Sequence, residues 1–501
     1  MPAKATPPPA QPFVTAAVKV LYIANAGPFD GPGKETLDLR KGLFLALVLA
    51  IIATLAGSAL LVHWTAGGKA GTDDRLSFKK FTVGELLHFE LKLDPKSCGK
   101  PLRSTELENI EKRVTALRGL PLIKPVVFTS LSEACLKARL TESLSEEAPS
   151  SEADADQKLL VALGLFPDGG DLEETLTNVF TEQIAGSYDT EEEEITVIEG
   201  KGMGGVMGEL TMAHEITHAL QDQNFDLDAP PLDDEAYNGD IDIAVESLVE
   251  GDAMSSMIDY AKEHVDVSTL LSSELSGSEV SSEELDRAPL YLRRSLLFPY
   301  EAGLTFVEAL KKNGGWAAVD AAFGSPPLSS EQIMHPEKYA GRRDDPRPVP
   351  LADLSADLGK GWKLINSDTM GEFDVAVWFE QYGGLLASRE AAGGWGGNTI
   401  QYYQGPGDRY VLVNLFAWDT PRDALEFFDG YRALLEKRFD GGARTVEDGA
   451  GWYLLKAEGQ YFYCGISGDG TLCLQATDRA HLEKAVSRFP QYPQPGSTGV
   501  R

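Results

Sequence analysis

Two histidines and a glutamate at helical spacing constrain this chain more than any other feature of its sequence. His214, Glu215 and His218 form an HExxH motif, and the apolar residues around it predict a helix from near Gly204 to about Gln223. Because residues four positions apart lie on one face of a helix, both imidazoles can reach a single Zn²⁺ ion. Glu215 then lies where a general base would activate water. The motif predicts a zinc site, with chance occurrence on an ordinary surface helix as the weaker alternative.

A zinc site of this kind needs a third protein ligand, and a second helix offers one. Apolar residues at helical spacing predict a helix from Asp240 to His264. Glu246 and Glu250 lie one turn apart on it and share a face. We expect Glu250 to be the third ligand, although spacing leaves open which carboxylate binds and which orients a ligand histidine. The alternative is that both are solvated helix carboxylates.

The ligand set resembles that of zinc peptidases of the gluzincin type, which pair HExxH with a glutamate on a following helix. The stretch Val249–Ala253, reading VEGDA, looks like the context of that glutamate in the aminopeptidases of the family. The resemblance implies that His214, His218 and Glu250 bind zinc and that Glu215 is the base. The chain departs from the pattern in the 32-residue separation of His218 and Glu250, which is longer than usual there.

A wider resemblance connects residues 105–340 with a group of bacterial exported or membrane-anchored HExxH proteins. Only the zinc-site motifs among the shared stretches are specific. The resemblance implies a peptidase-like fold and leaves the substrate open. The matching stretches are Leu117–Leu120, Lys124–Val126, Leu163–Leu165, Ala185–Asp189, His214–Gln223, Ser247–Ala253, Phe298–Gly303 and Met334–Tyr339.

The zincin fold implied by these resemblances places a mixed sheet beside the active-site helix, with an edge strand that pairs with an extended substrate. Ile184 to Ile198 is the expected source of that edge. A hairpin around Asp189 to Glu194 would lead into the strand Ile195–Ile198, whose free edge would accept a peptide. The run of glutamates in the hairpin is interpreted as a solvated turn, with a cation-selecting subsite as the alternative.

Hydrolysis at a carbonyl also needs a group that stabilises the oxyanion, a role open to His, Tyr or Arg. His335 is the expected residue, with Tyr300 and Tyr339 as alternatives. Because Pro336 follows it, His335 should lie near the end of an element rather than within a helix.

An apolar segment far from the motif predicts the cellular location. Residues 42–62 are uncharged and mainly apolar, and they are long enough for a transmembrane helix of about 30 Å. The Pro-rich stretch at 1–41 argues against a cleaved signal peptide. We expect a flexible cytoplasmic tail at 1–41 and a membrane anchor at 42–64, with Arg40 and Lys41 favouring a cytoplasmic N-terminus.

Four cysteines bear on the compartment of the remaining chain. A turn at Gly468–Asp469 would set Cys464 opposite Cys473 across a hairpin, and Cys98 and Cys135 form the second possible pair. Two disulfides would suit an oxidising compartment, whereas four reduced core cysteines are the alternative. We therefore expect the catalytic and C-terminal domains to be periplasmic or extracellular.

Composition and breaks in the pattern predict two folded domains and an α+β fold class. A zincin-like domain with a mixed sheet and active-site helices is expected over residues 77–340. A linker at 341–359 leads to a smaller sheet-and-helix domain over 360–490, for which a substrate-positioning or partner-binding role is expected. The formal net charge of −32 argues against nucleic acid as a partner and against binding anionic lipid surfaces through these domains.

These patterns together predict a membrane-anchored, extracytoplasmic zinc peptidase that acts on a protein or peptide, with Glu215 as the base. Endopeptidase activity is expected because no motif for binding a terminal amine or carboxylate is evident. Two alternatives stay open. One is a non-catalytic envelope binding or scaffold protein that retains the zinc-site fold, and the other is a zinc hydrolase of a non-peptide amide.

Overall fold

The chain folds into helices and two separate β-sheets, as seen in a computed structural model. It describes residues 99–496 except 103, 148–149, 202–203, 234–236 and 267–282. The strands are β1 (Lys100–Leu102), β2 (Val127–Leu131), β3 (Gly186–Asp189), β4 (Glu194–Ile198), β5 (Lys363–Asp368), β6 (Trp395–Gln404), β7 (Tyr410–Trp418), β8 (Arg444–Gly449), β9 (Trp452–Ala457), β10 (Gln460–Ser467) and β11 (Gly470–Ala476). The combination confirms the expected mixture of sheets and helices.

The helices include each of those expected around the motif residues. They are α1 (Thr105–Arg118), α2 (Glu133–Glu147), α3 (Ser150–Leu163), α4 (Leu172–Gln183), α5 (Gly205–Phe225), α6 (Gly239–His264), α7 (Glu283–Arg287), α8 (Leu290–Gly314), α9 (Trp316–Phe323), α10 (Ser330–Met334), α11 (Pro336–Ala340), α12 (Ser355–Leu358), α13 (Glu372–Gly383), α14 (Leu385–Ala392), α15 (Pro421–Arg438) and α16 (Arg479–Val486).

A four-stranded mixed sheet lies beside α5, with the strand order β1-β2-β4-β3. The β2 and β4 strands run parallel, with Phe128 opposite Ile195, and the other two pairs are antiparallel. The strand Ile195–Ile198 is therefore paired on both sides, so the expectation that it has the free edge is wrong. The reason is tertiary: β2, from a distant part of the chain, covers one side of β4, and the hairpin partner β3 becomes the edge strand next to α5.

Capping residues explain where α5 ends and where α6 begins. Helix α5 ends at Asp226, which adopts the left-handed conformation with φ of 56°. Helix α6 begins after Asn238, whose side chain accepts hydrogen bonds from the N–H groups of Asp240 and Ile241. Acidic residues in the first turn of α6 also suit the positive end of the helix dipole. Most of α6 is buried, so it runs through the core and packs on both α5 and α8.

The C-terminal part forms a seven-stranded antiparallel sheet in the order β5-β6-β7-β11-β10-β9-β8. Helix α15 follows β7 and α16 follows β11, as the alternation of strand and helix patterns predicts. Large aromatic side chains, among them Trp362, Tyr463 and Phe489, build a core that includes residues of α16. Trp395 is buried, and its indole N–H donates to Met370 O at 2.9 Å.

Residues 341–354, which belong to the predicted linker, are packed against the C-terminal sheet. The described residues belong to one compact unit. Residues 341–354 form neither helix nor strand, and they contact β6, where Arg347 N–H donates to Gly396 O at 2.7 Å. Helix α6 contacts the C-terminal sheet directly, because the Gly239 N–H donates to Asp368 Oδ1 of β5 at 3.0 Å. The C-terminal sheet and the motif helices therefore share one packed structure, while the domain boundaries stay predictions.

Two of the four cysteines lie in the hairpin position predicted for them but form no disulfide. Cys464 and Cys473 lie directly opposite each other in β10 and β11. Both are buried free thiols, with 2.8 Å between their sulfur atoms. Cys135 is disulfide-bonded, and Cys98, its predicted partner, lies outside the described residues.

The predicted tail at 1–41 and the predicted anchor at 42–64 also lie outside the described residues. None of the helices that the structure describes combines the length and the apolar character needed to span a bilayer.

Candidate metal centre

Three donor atoms from α5 and α6 converge in the core. His214 Nε2 lies 2.9 Å from His218 Nε2 and 3.1 Å from Glu250 Oε2. The third distance, from His218 Nε2 to Glu250 Oε2, is 3.4 Å. Zinc bonds of about 2.0–2.1 Å in tetrahedral geometry separate neighbouring ligand atoms by roughly 3.3 Å. The three side chains therefore have the spacing of a ligand set and could hold a metal ion.

The chemistry of this group also suits a cation. His214, His218 and Glu250 are at most 1 % exposed, so water does not compensate their polar atoms. Within the described part of the chain, His214 Nδ1 and Glu250 Oε1 have no hydrogen-bond partner. Buried polar atoms without partners are costly. A cation held by the two Nε2 atoms and by the Glu250 carboxylate would compensate the buried carboxylate, including Oε1, whereas His214 Nδ1 would stay without a partner.

The pKa shifts describe how the same residues behave without a metal. Burial lowers the pKa of His214 below its usual value. Burial acts the same way on His218, but the Glu250 carboxylate outweighs it and raises the pKa of His218. Burial also opposes ionisation of Glu250, and the two histidines outweigh it and lower the pKa of Glu250. The Glu250 carboxylate thus favours the charged form of His218, and the two histidines favour the charged form of Glu250.

Glu215 is a fully buried carboxylate. Within the described residues neither of its oxygens makes a hydrogen bond of normal geometry, although the Tyr188 N–H on β3 is near enough to lower its pKa. Burial raises the pKa of Glu215 to about 8, against the opposing charge of His218. Strand β3 lies against it, because a Cβ built on Gly186 would be 3.3 Å from Glu215 Cγ. Glu215 is therefore available to exchange a proton with a molecule bound between α5 and β3.

Tyr300 on α8 is the third kind of group at this site. Its ring centroid lies 6.4 Å from that of His214, and its buried hydroxyl forms no hydrogen bond of normal geometry within the described residues. Burial raises its pKa well above the usual value, and the charges of Glu250, Glu246 and Glu215 act in the same direction. Tyr300 therefore keeps its proton and can donate a hydrogen bond into the site.

Two glycines set the distance between the helices that carry Glu250 and Tyr300. A Cβ on Gly251 of α6 would lie 2.2 Å from Gly303 O, and a Cβ on Gly303 of α8 would lie 2.1 Å from Ser247 O. Real Cβ atoms do not approach backbone oxygens this closely. The two helix backbones are thus in direct contact at a point where only glycine fits.

Replacing Gly303 by alanine should push α8 away from α6. We expect Gly303→Ala to lower the free energy of unfolding by roughly 1–3 kcal/mol, since overpacking outweighs the better helix propensity of alanine. Urea unfolding measures this change. Gly324→Ala is the control, because its Cβ would be 3.7 Å from Ala321 O, an ordinary contact. Equal stability of wild type and Gly303→Ala would contradict the close helix contact.

Three other predicted residues, His335, Tyr339 and Glu246, are not among the converging donors. His335 sits between α10 and α11, as its proline neighbour predicts, and its Nε2 lies 3.1 Å from Glu372 Oε1. That contact with Glu372 raises the pKa of His335. The Tyr339 hydroxyl donates to Ser325 O. Glu246 is partly buried one turn before Glu250, and it is not among the converging donors.

Sequence reasoning missed three residues behind His218. Gln221 Oε1 lies 2.9 Å from His218 Nδ1, and Gln221 Nε2 donates to Asp252 Oδ2 at 2.8 Å. Arg118 Nε donates to Asp252 Oδ1 at 2.7 Å. The first two follow the ligands by three and two positions inside the quoted motifs, and that spacing could have identified them. Arg118 lies in the matching stretch Leu117–Leu120, but its spacing gives no indication of a contact with Asp252.

Asp222, one turn after His218, joins α5 to the edge strand. Its Oδ2 accepts a hydrogen bond of 2.7 Å from the Tyr188 hydroxyl on β3, and its Oδ1 accepts one from Leu227 N–H. It therefore both braces the helix against β3 and caps the turn that follows.

Comparison with known proteins covers only the C-terminal part of the chain. Residues 362–485 match a domain of unknown function, DUF8575. The matched range runs from the start of β5 to the end of α16 and does not include the donor group. No curated protein and no solved structure matches the chain.

Proposed function

We propose that this chain is a zinc-dependent peptidase of gluzincin type, anchored in a membrane through residues 42–64, with the donor group outside the cytoplasm. One observation carries the enzymatic part. His214, His218 and Glu250 converge at ligand spacing beside Glu215, a buried carboxylate whose oxygens make no hydrogen bond of normal geometry in the described part of the chain. The anchor and location rest on the apolar segment and on the cysteine pattern.

His214, His218 and Glu250 would hold a divalent ion, which would supply Lewis-acid activation of a carbonyl group and of water. Glu215 takes a proton from the attacking water and returns it to the leaving amine. Burial raises the pKa of Glu215 to about 8. A divalent ion bound by the three neighbouring donors would lower this pKa toward the working range of a general base.

Tyr300 is the residue that we propose for stabilising the oxyanion, in place of His335. The buried Tyr300 hydroxyl lies among the carboxylates of the site and keeps its proton. A neutral donor fixed by helix packing can bind a developing oxyanion without reorganisation. His335 is paired with Glu372 instead.

Strand β3 is the proposed binding site for the peptide backbone. It is the terminal strand of its sheet and lies directly against Glu215. An extended peptide added to this edge would run past the general base. Because the donor residues are fully buried, the peptide enters only after packed elements around β3 separate.

A mixed peptide library tests the proposal. The full chain, loaded with Zn²⁺, is incubated with peptides blocked at both ends, and the products are mapped by mass spectrometry. We expect internal cleavage that a chelator abolishes and added Zn²⁺ restores. Non-peptide amides are assayed in parallel.

Cleavage of the non-peptide amides alone would overturn the assignment to peptides. Cleavage of neither class by the zinc-loaded chain would overturn the hydrolase and favour a scaffold.

A further inference from the structure

A network of hydrogen bonds runs from His218 to Arg118, the last residue of α1. His218 Nδ1 faces Gln221 Oε1 at 2.9 Å. The Gln221 amide donates to Val249 O at 2.9 Å and to Asp252 Oδ2 at 2.8 Å. Arg118 Nε donates to Asp252 Oδ1 at 2.7 Å. The side chains of Gln221, Asp252 and Arg118 are at most 1 % exposed, so bulk water does not compete for these bonds.

The direction of each hydrogen bond follows from Arg118, the last residue of the network. A guanidinium only donates, so Asp252 accepts from Arg118 and accepts again from Gln221. Two acceptors, Val249 O and Asp252 Oδ2, face the nitrogen of the Gln221 amide and determine its orientation. The amide oxygen of Gln221 must then face His218, and it accepts the proton of His218 Nδ1. His218 is left with its Nε2 lone pair pointing toward His214 and Glu250.

Arg118 is held by more than Asp252. Its Nη2 donates to Asp320 Oδ1 at 2.6 Å, and its guanidinium carbon lies 4.4 Å from the centroid of the Trp316 ring. Both contacts come from α9, whereas Arg118 ends α1. Three helices, α1, α6 and α9, therefore determine the position of a guanidinium that contacts no ligand itself.

We propose that Gln221, Asp252 and Arg118 form a positioning network that determines the metal affinity of the centre by holding His218 in its Nε2-binding tautomer. This inference rests on the metal centre proposed above, and it concerns binding rather than hydrolysis. The effect is specific to one ligand, because within the described residues His214 Nδ1 has no comparable partner. Outer partners of a metal-binding histidine commonly change metal affinity about 10- to 100-fold.

Gln221→Met is the decisive variant. Methionine has a similar length and cannot accept the Nδ1 proton. The full chain is titrated with Zn²⁺ against a chromogenic chelator to obtain the Kd, and its Co²⁺ form is examined by visible absorption. We expect the Zn²⁺ Kd to rise by about 10- to 100-fold, together with a changed Co²⁺ spectrum. A purely structural role would move neither readout in a folded variant.

Gln332→Met is the matched control for loss of a buried amide. Gln332 is fully buried and makes hydrogen bonds to Leu328 N–H, Asp344 O and Asp345 Oδ1. We expect this variant to lose stability while its Zn²⁺ Kd and Co²⁺ spectrum stay unchanged.

Asp252→Asn tests the orientation of the amide. An asparagine nitrogen facing Gln221 would let that amide turn over, so that its nitrogen faces His218 Nδ1. We expect the Zn²⁺ Kd to rise here as well, and circular dichroism to show that the variant is folded.

The outcomes separate this inference from the proposed function. A folded Gln221→Met protein with wild-type Kd and wild-type Co²⁺ spectrum would overturn the positioning network. A wild type that binds no Zn²⁺ would overturn both the metal centre and the network. A wild type that binds Zn²⁺ but cleaves no peptide would overturn the peptidase and leave the network supported by the Kd of its variants.

Discussion

Glu215→Gln is expected to abolish hydrolysis while leaving the bound zinc in place. Glutamine keeps the size of the side chain but cannot take a proton from water. General bases of this kind contribute on the order of 10²- to 10⁴-fold to the rate, so kcat for a cleaved peptide should fall by about that factor. The variant should fold normally, because burial and the raised pKa of Glu215 already favour an uncharged side chain at this position. The measurement is peptide cleavage at equal zinc content.

Glu209→Gln provides the matched control for this experiment. Glu209 lies on the same helix, but its carboxylate is engaged with the Tyr260 hydroxyl and with Arg113. Its replacement should leave kcat close to the wild-type value. Full activity of a zinc-loaded Glu215→Gln enzyme would rule out Glu215 as the general base.

Removal of the metal should be the second large effect, and it should appear as a loss of stability. A ligand that binds only the folded state stabilises it by RT ln(1 + [L]/Kd), or about 4 kcal/mol at a free concentration of roughly 1,000 times Kd. The donors of this site are preformed and buried in the folded chain. Zinc should therefore bind the folded state far better than the unfolded one. We expect chelation to lower the Tm in a zinc-dependent and reversible way.

Glu250→Gln tests whether that stabilisation comes from this site. The amide keeps the size of the carboxylate but carries no negative charge, so metal affinity should fall sharply. The variant should show little difference in Tm between zinc-saturated and chelated samples. A wild-type protein whose Tm is the same after verified removal of all metal would contradict a stabilising metal at the donor group.

Much of the local structure follows from sequence periodicity. The apolar stripes around the HExxH motif and around Glu250 predict helices that the structure places at 205–225 and 239–264. The alternation near Cys464 predicts the hairpin that sets this residue opposite Cys473. These patterns are readable because helix and strand periods depend on neighbours within a few residues.

Sequence periodicity did not predict which strand lies at the edge of the four-stranded sheet. Ile195–Ile198 has the composition of a strand, but β2 occupies the side that a substrate would need. The parallel pairing between residues 127–131 and 194–198 cannot be recognised from the sequence of either segment alone. Strand β3 lies at the edge because β2, from a distant part of the chain, pairs with the other side of β4.

The sequence by itself determined which side chains can bind a metal through α5. His214 and His218 share a helical face because of the fixed pitch of the helix, and Glu215 is their immediate neighbour for the same reason. This spacing is a local property, and no tertiary contact is needed to establish it.

Only the tertiary structure decided how that site is completed. Glu250 rather than Glu246 reaches the histidines because the two carboxylates share a face of α6, and the packing of α6 on α5 decides which turn lies opposite the imidazoles. Arg118 enters the network behind His218 from α1, more than a hundred residues before its partner Asp252. The physical reason is that packing is non-local: a few backbone contacts between helices set side-chain positions that periodicity cannot encode.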